Sequence, residues 1–292
     1  ATLAGFAHAS GKLSLGDAAS KHWPALKGSA FDGITLLNLG TYSAGGLPLQ
    51  FPDSVKNQDD LLRYYSHWKA DYASGTHRLY SNPSLGLFGY LAAKSLGASF
   101  VDVMQKQLLP QLGLQHTVIQ VPAAQMNHYA QGYDKQDQPV RVSPGALDAE
   151  AYGVKTNAAD LLHFVESNLE PQLLSVPLQP AIATTQTGYY RVGDMTQGLG
   201  WELYPYPLTL DALLVGNSPS IAFEPQPVTW LKPAQPPQSN TLLNKTGSTG
   251  GFGAYVLFVP SQQVGIVLLA NRNYPNAERV KVAYSILQAI AP

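Results

Sequence analysis

The sequence contains no cysteine. That excludes a disulfide framework, a thiol nucleophile and thiolate ligation of a metal, and leaves the compartment open. Charge is scarce too. Only 13% of residues are Asp, Glu, Lys or Arg, and 18 basic against 19 acidic residues give a net charge of -1. No basic footprint for nucleic acid and no polybasic stretch for an anionic membrane surface is present. Long hydrophobic runs are missing. Residues 264–270 form one of the longest, far short of the ~18–20 residues of a membrane span, and read as a buried strand. The seven histidines show neither His-x-His nor His-Glu-x-x-His spacing, so His116 and His163 read as packing or surface residues. Neither a metal nor another cofactor is expected.

What is present is a globular chain of 292 residues, 45% of them hydrophobic, enough for one large domain or two modest ones. Residues 1–8 (ATLAGFAH) read as the body of an Ala-rich helix with no capping residue before it, no initiator Met and no signal-peptide cleavage site. Such a start resembles a cut through a helix more than a natural beginning after processing. Helical periodicity recurs over residues 61–68, 85–96 and 158–169, and over 100–109, where Pro110 is expected to stop it. Asn157 or Thr156 is available to cap the helix at 158.

The second half changes character. Residues 197–204 alternate as one strand, 208–214 fit a short helix, and 225–239, with five prolines, predict an extended surface loop. Strands follow over 242–246, 253–259 and 265–270, the last two joined by a turn at 260–263. A terminal helix opens near Asn276 and buries Val280, Ala283, Leu287 and Ile290. The expected fold class is α+β: an antiparallel sheet flanked by helices, with residues 1–155 as a mostly helical domain and 156–292 as a mixed domain.

Two short motifs carry chemistry. Lys245-Thr246-Gly247 closes an apolar strand: the lysine gives a fixed positive charge, the threonine hydroxyl can bond a carboxylate, and the glycine lets a ligand lie against the backbone. Alone, it reads equally as an edge strand with a turn. Tyr80-Ser81-Asn82 sits on a loop entering a helix. A phenol beside an ammonium group is a usable proton relay, and an amide can hold a substrate carbonyl. Alone, this motif reads as a helix cap. Asn244-Lys245-Thr246 fits a glycosylation sequon but lies in a strand, and the glycines of 247–253 follow their lysine, so they form no phosphate-binding loop.

Together with Gly11-x-Leu13-x-Leu15-x-Asp17, the string 42–50 (YSAGGLPLQ), the string 143–153 (SPGALDAEAYG), Lys245-Thr246-Gly247-Ser248-Thr249-Gly250 and the string 271–276 (NRNYPN), these residues resemble the serine β-lactamase and penicillin-recognising family, most closely class C, the AmpC type. The resemblance runs the whole length. It implies the β-lactamase/transpeptidase-like fold and a serine acyl-enzyme that hydrolyses cephalosporins and confers β-lactam resistance. It also implies a role for each site residue. Tyr80 would be general base or proton relay and Lys245 would steady it. The Ser248 N–H would be half of an oxyanion hole, and Thr246 and Gly247 would line the substrate. Gln50 and Asn82 would hold the acylamide side chain, Tyr152 would wall its pocket, and Asn276 and Arg279 would help receive the substrate carboxylate.

The resemblance further implies a small-molecule β-lactam partner, a periplasmic monomer, and no nucleic-acid or membrane partner. It also implies a Ser-x-x-Lys on the first helix, about one to two turns ahead of Ala1. That motif, an N-terminal helix and the first strands of the sheet are not among these residues. The one Ser-x-x-Lys present, Ser66-His67-Trp68-Lys69, lies in the wrong context. The expectation is a chain that is inactive and poorly stable alone. The rivals are a noncatalytic β-lactam-binding fragment and a penicillin-binding peptidase or esterase on the same fold.

Overall fold

Alternating apolar residues in the last third of the chain build the sheet on which the rest is arranged. In the computed structural model, which describes residues 1–291, the chain runs through helices α1 (Thr2–Ala9), α2 (Gln58–His67), α3 (Asn82–Ser95), α4 (Phe100–Val103), α5 (Asp148–Tyr152), α6 (Ala158–Leu169) and α7 (Leu178–Gln186). Then come strands β1 (Gly188–Val192), β2 (Met195–Gln197) and β3 (Glu202–Pro205), helix α8 (Leu210–Gly216) and strand β4 (Thr229–Gln235). Strands β5 (Thr241–Ser248), β6 (Gly253–Val259) and β7 (Val264–Ala270) precede helix α9 (Asn276–Ile290). The seven strands form one antiparallel sheet in the order β7-β6-β5-β3-β2-β1-β4.

Period-two alternation decides what covers each face. Leu243, Val256 and Phe258 pack with Val165 of α6 and with Trp201. Leu242, Tyr255 and Leu257 belong to the main core, with Val280, Ala283 and Leu287 of α9. Helices therefore lie on both faces, the α+β arrangement expected. The main core runs from Leu3 to Ala291, across both halves of the chain. Helix α1 crosses α7 so closely that a Cβ on Gly5 would stand 2.7 Å from the Ala181 carbonyl oxygen.

Several expectations are corrected. Residues 197–204 are a hairpin, not one strand: Gln197 faces Glu202 in register, and Gly200 takes φ +90° in the turn between β2 and β3. The proline-rich 225–239 stretch contains β4, which pairs only with β1 at the sheet edge, where a residue without an N–H is tolerated. Pro110 does not stop its helix. After α4 the chain winds a π-turn over Met104–Leu108, and Pro110 then falls in the first turn of a fresh helical segment, Leu109–Gln111, where its missing N–H costs nothing. Ile290 is 56% exposed, not buried. The capping reading at Asn157 holds: its side chain accepts the Asp160 N–H. Among the described residues no single helix is long and apolar enough to cross a membrane.

Candidate active site

Strand β5 reaches further than one of its neighbours. Its pairing with β3 runs from Thr241 to Asn244, whereas its pairing with β6 continues from Leu243 to Ser248. Lys245, Thr246, Gly247 and Ser248 therefore have a strand partner on the β6 side and none from β3 on the other. An open backbone edge ending in Lys-Thr-Gly can take a ligand laid alongside it. Thr246 is half-buried, while Gly247 and Ser248 are exposed.

Tyr80 comes to this edge from the loop ahead of α3. Ser81 caps that helix by accepting the Ser84 N–H at 3.0 Å, and Pro83 occupies its first turn. The loop is thereby fixed, and Tyr80 and Asn82 sit on either side of the cap. The Lys245 ammonium stands 4.9 Å from the centre of the Tyr80 ring and donates to the Thr246 carbonyl at 2.8 Å. The ammonium over the ring makes a cation–π contact that holds the phenol beside the strand edge. Asn82 donates its backbone N–H to the Leu49 carbonyl at 3.1 Å, which ties the exposed Gln50 segment to the start of α3.

At the far end of β5, the Arg279 guanidinium donates to the Gly247 carbonyl (2.6 Å), the Ser248 hydroxyl (3.0 Å), the Ala254 carbonyl (3.2 Å), the Asn273 side-chain oxygen (2.8 Å) and the Tyr274 carbonyl. Ser248 in turn donates to Asn276 at 3.4 Å. Arg279 is 0% exposed, and burial lowers its pKa, opposed by Tyr274. Buried as it is, Arg279 holds the Gly247 carbonyl and the Ser248 hydroxyl at the end of the strand edge. Gly253 makes that possible, because a Cβ there would lie 2.7 Å from the guanidinium carbon.

Tyr152 ends α5, half-buried, its phenol pKa raised by burial and then by Asp148. Helix α5 lies against α3 where α3 offers glycines: a Cβ on Gly86 would stand 2.8 Å from the Leu147 Cβ, and one on Gly89 would stand 3.1 Å from the Glu150 Cβ. Asn82 and Tyr152 thus belong to two packed helices. Ser66 sits half-buried in the last turn of α2, and Lys69 lies beyond the helix end, so this pair does not share a helical turn. Among the described residues no group of three or more His, Asp or Glu side chains is placed to hold a metal ion.

Two residues given no role from sequence support Tyr80. The Tyr42 ring packs 4.8 Å from the Tyr80 ring, and Tyr42 is 2% exposed with a left-handed φ of +60°, rare for a bulky residue. Arg78 lies 5.4 Å from the other ring, that of Tyr42, and is fully buried in an ion pair with Glu202 at 2.8 Å. The signal for Tyr42 was the glycine pair that follows it, which marks a forced turn.

Comparison with known proteins bears on the family and the fold. The β-lactamase family model matches residues 1–291. A β-lactamase of Pseudomonas fluorescens is 63% identical over 290 residues, spanning 99% of this chain and 81% of its own. The β-lactamase of Escherichia coli K12 is 48% identical over 289 residues, 99% of this chain and 76% of its own. Among solved structures, a class C β-lactamase superposes with a TM-score of 0.95 at 49% identity, covering 99% of this chain and 80% of that one. A β-lactamase/D-alanine carboxypeptidase from Pseudomonas syringae superposes at 0.97 with 47% identity, covering 100% and 82%. The fold is the β-lactamase/transpeptidase-like one, and the chain belongs to the β-lactamase family, with class C enzymes among its strong homologues.

Proposed function

We propose that these residues form the substrate and proton-relay side of an AmpC-type class C serine β-lactamase that hydrolyses cephalosporins. The observation that carries the reading is the Lys245 ammonium over the Tyr80 ring, beside a strand edge left open from Lys245 to Ser248. A β-lactam would lie along that edge, its carbonyl oxygen facing the Ser248 N–H. A serine hydroxyl adds to the carbonyl, the C–N bond breaks, and the ring nitrogen receives a proton passed by Tyr80. Water then releases the acyl group along the same relay. Gln50 and Asn82 would hold the acylamide arm, Tyr152 would wall it, and Thr246, Gly247 and Asn276 would face the carboxylate. We place the enzyme in the periplasm as a monomer.

The reaction needs a serine nucleophile beside a lysine, and Ser66–Lys69 does not supply it. A polypeptide of these 292 residues and no others is therefore expected to bind β-lactams at most. D-alanine carboxypeptidase activity is the second reading, favoured by the naming of the Pseudomonas syringae neighbour. The test joins to these residues the part of the Pseudomonas fluorescens relative that the match does not cover. The chimaera should hydrolyse a chromogenic cephalosporin, and Tyr80→Phe should lower kcat by about a hundredfold or more. Turnover of a D-Ala-D-Ala peptide with a long-lived penicilloyl adduct would favour the second reading, and Tyr80→Phe activity within about fivefold of the parent would sink the relay.

A further inference from the structure

A cleft of about 470 Å³, with no lining residue from β5, opens between α3, α4 and α5. Its lining includes Tyr90, Ala93 and Lys94 of α3, Ala98 of the connecting turn and Phe100 at the start of α4. Glu150 of α5 completes the lining. Gly89 brings it there: with no Cβ on that residue, the Glu150 Cβ and the Phe100 ring edge both come within 3.3 Å of where one would stand.

The carboxyl of Glu150 is poorly served by its surroundings. Burial raises it to about 7 and Asp148 pushes it the same way, offset only by a hydrogen bond from its own backbone. No cation contributes. Tyr65 of α2 lies within electrostatic reach of Glu150, and Tyr90 of α3 shares the cleft lining with it; both are phenols. Lys94 is exposed and holds its ammonium 5.8 Å from the Tyr90 ring centre, outside ion-pairing reach of Glu150. That contact shows that the Tyr90 face accepts an ammonium group. A carboxylate with aromatic walls and no internal counter-charge is complementary to an ammonium carried on an apolar body.

We propose that this cleft binds a small organic cation, its ammonium on the Glu150 carboxylate and its apolar part between Tyr90 and Phe100, with Lys94 as a tethered competitor at the mouth. The site is separate from the β5 edge and does not depend on the proposed reaction. Glu150 lies two residues before Tyr152 on α5, so occupancy would bear on the wall that Tyr152 provides.

Binding is read directly on the 292-residue protein, by NMR titration with choline and with its neutral isostere 3,3-dimethyl-1-butanol. Choline should bind at pH 8 with a Kd on the order of 1 mM and the isostere about tenfold more weakly. Lowering the pH to 6 should weaken choline by roughly tenfold, as the carboxylate is protonated. Glu150→Gln should remove most choline binding. Lys94→Gln, at an exposed position, should tighten it several-fold, a gain that a merely apolar cleft would not give. Equal affinity for the two probes, no saturable choline binding, or a Lys94→Gln variant that binds choline no better than the parent would overturn the proposal. The last measurement stands even if Glu150→Gln folds poorly.

Discussion

Arg78→Met is the substitution whose cost the structure specifies best. The Arg78 side chain is 1% exposed and its Glu202 partner 7%. Its Nε donates to Gln197 at 2.8 Å, one terminal nitrogen to the Ile221 carbonyl at 2.6 Å, and the other to Glu202 at 2.8 Å. Methionine keeps much of the stem but leaves a buried carboxylate with no counter-charge. Breaking one side of such a pair costs ~3–5 kcal/mol, mostly the penalty for the stranded charge. At about 2–4 °C per kcal/mol for a chain approaching this size, the melting temperature should fall by roughly 6–20 °C. Replacing both partners, Arg78→Met with Glu202→Met, removes the stranded charge and should recover most of that loss. Urea unfolding followed by tryptophan fluorescence, with parent, both single variants and the double compared at pH 7, measures the cycle. A single variant within about 1 kcal/mol of the parent, or a double variant no more stable than Arg78→Met, would refute the reasoning.

Two further outcomes follow from the same kind of reading. The folded Glu150 carboxyl is raised to about 7 from an ordinary 4.5, so the folded state holds a proton that the unfolded state releases first. Its cost is absent below about 4.5, grows as the pH rises to 7, and reaches ~3 kcal/mol at most, less for the water the side chain still meets. Glu150→Gln should therefore raise the melting temperature at pH 8 more than at pH 5, and an equal change at both would contradict the assignment. Gly253→Ala drives a Cβ to 2.7 Å from the Arg279 guanidinium carbon, whereas Gly247→Ala meets only the Ala254 Cβ at 3.5 Å. The first should cost about 1–3 kcal/mol and the second under about 0.5 in a thermal melt, and equal costs would show that Arg279 is not confined as described.

The parts of the fold legible in the sequence are those where one pattern acts alone. Helices α2, α3 and α6 have unambiguous periodicity and caps at Asn57, Ser81 and Asn157, and β5 to β7 are apolar runs bounded by turns. Where two rules compete, tertiary context decides. Residues 197–204 alternate as one strand would, yet Gly198 and Gly200 let the chain reverse and put both halves in the sheet. Prolines argue for a loop over 225–239, but an edge strand needs only one row of hydrogen bonds, and Trp230 anchors β4 by donating to the Gly75 carbonyl at 2.6 Å. The site divides in the same way. Lys245, Tyr80 and Asn82 sit in recognisable strings, whereas the support that Tyr42 gives Tyr80 and the buried Arg78–Glu202 pair depend on contacts between residues 36 to 124 positions apart.

On the proposed reading, the β-lactam site draws on a serine nucleophile that the Ser66–Lys69 pair does not supply. Intact-mass spectrometry after exposure to a slowly released cephalosporin, run on the 292-residue polypeptide and on the chimaera, tests it most directly. The expected result is no covalent adduct on the polypeptide alone, and on the chimaera one acyl group that peptide mapping assigns to a serine of the added part. A stable adduct on the 292-residue polypeptide, at Ser66 or any other residue, would contradict it.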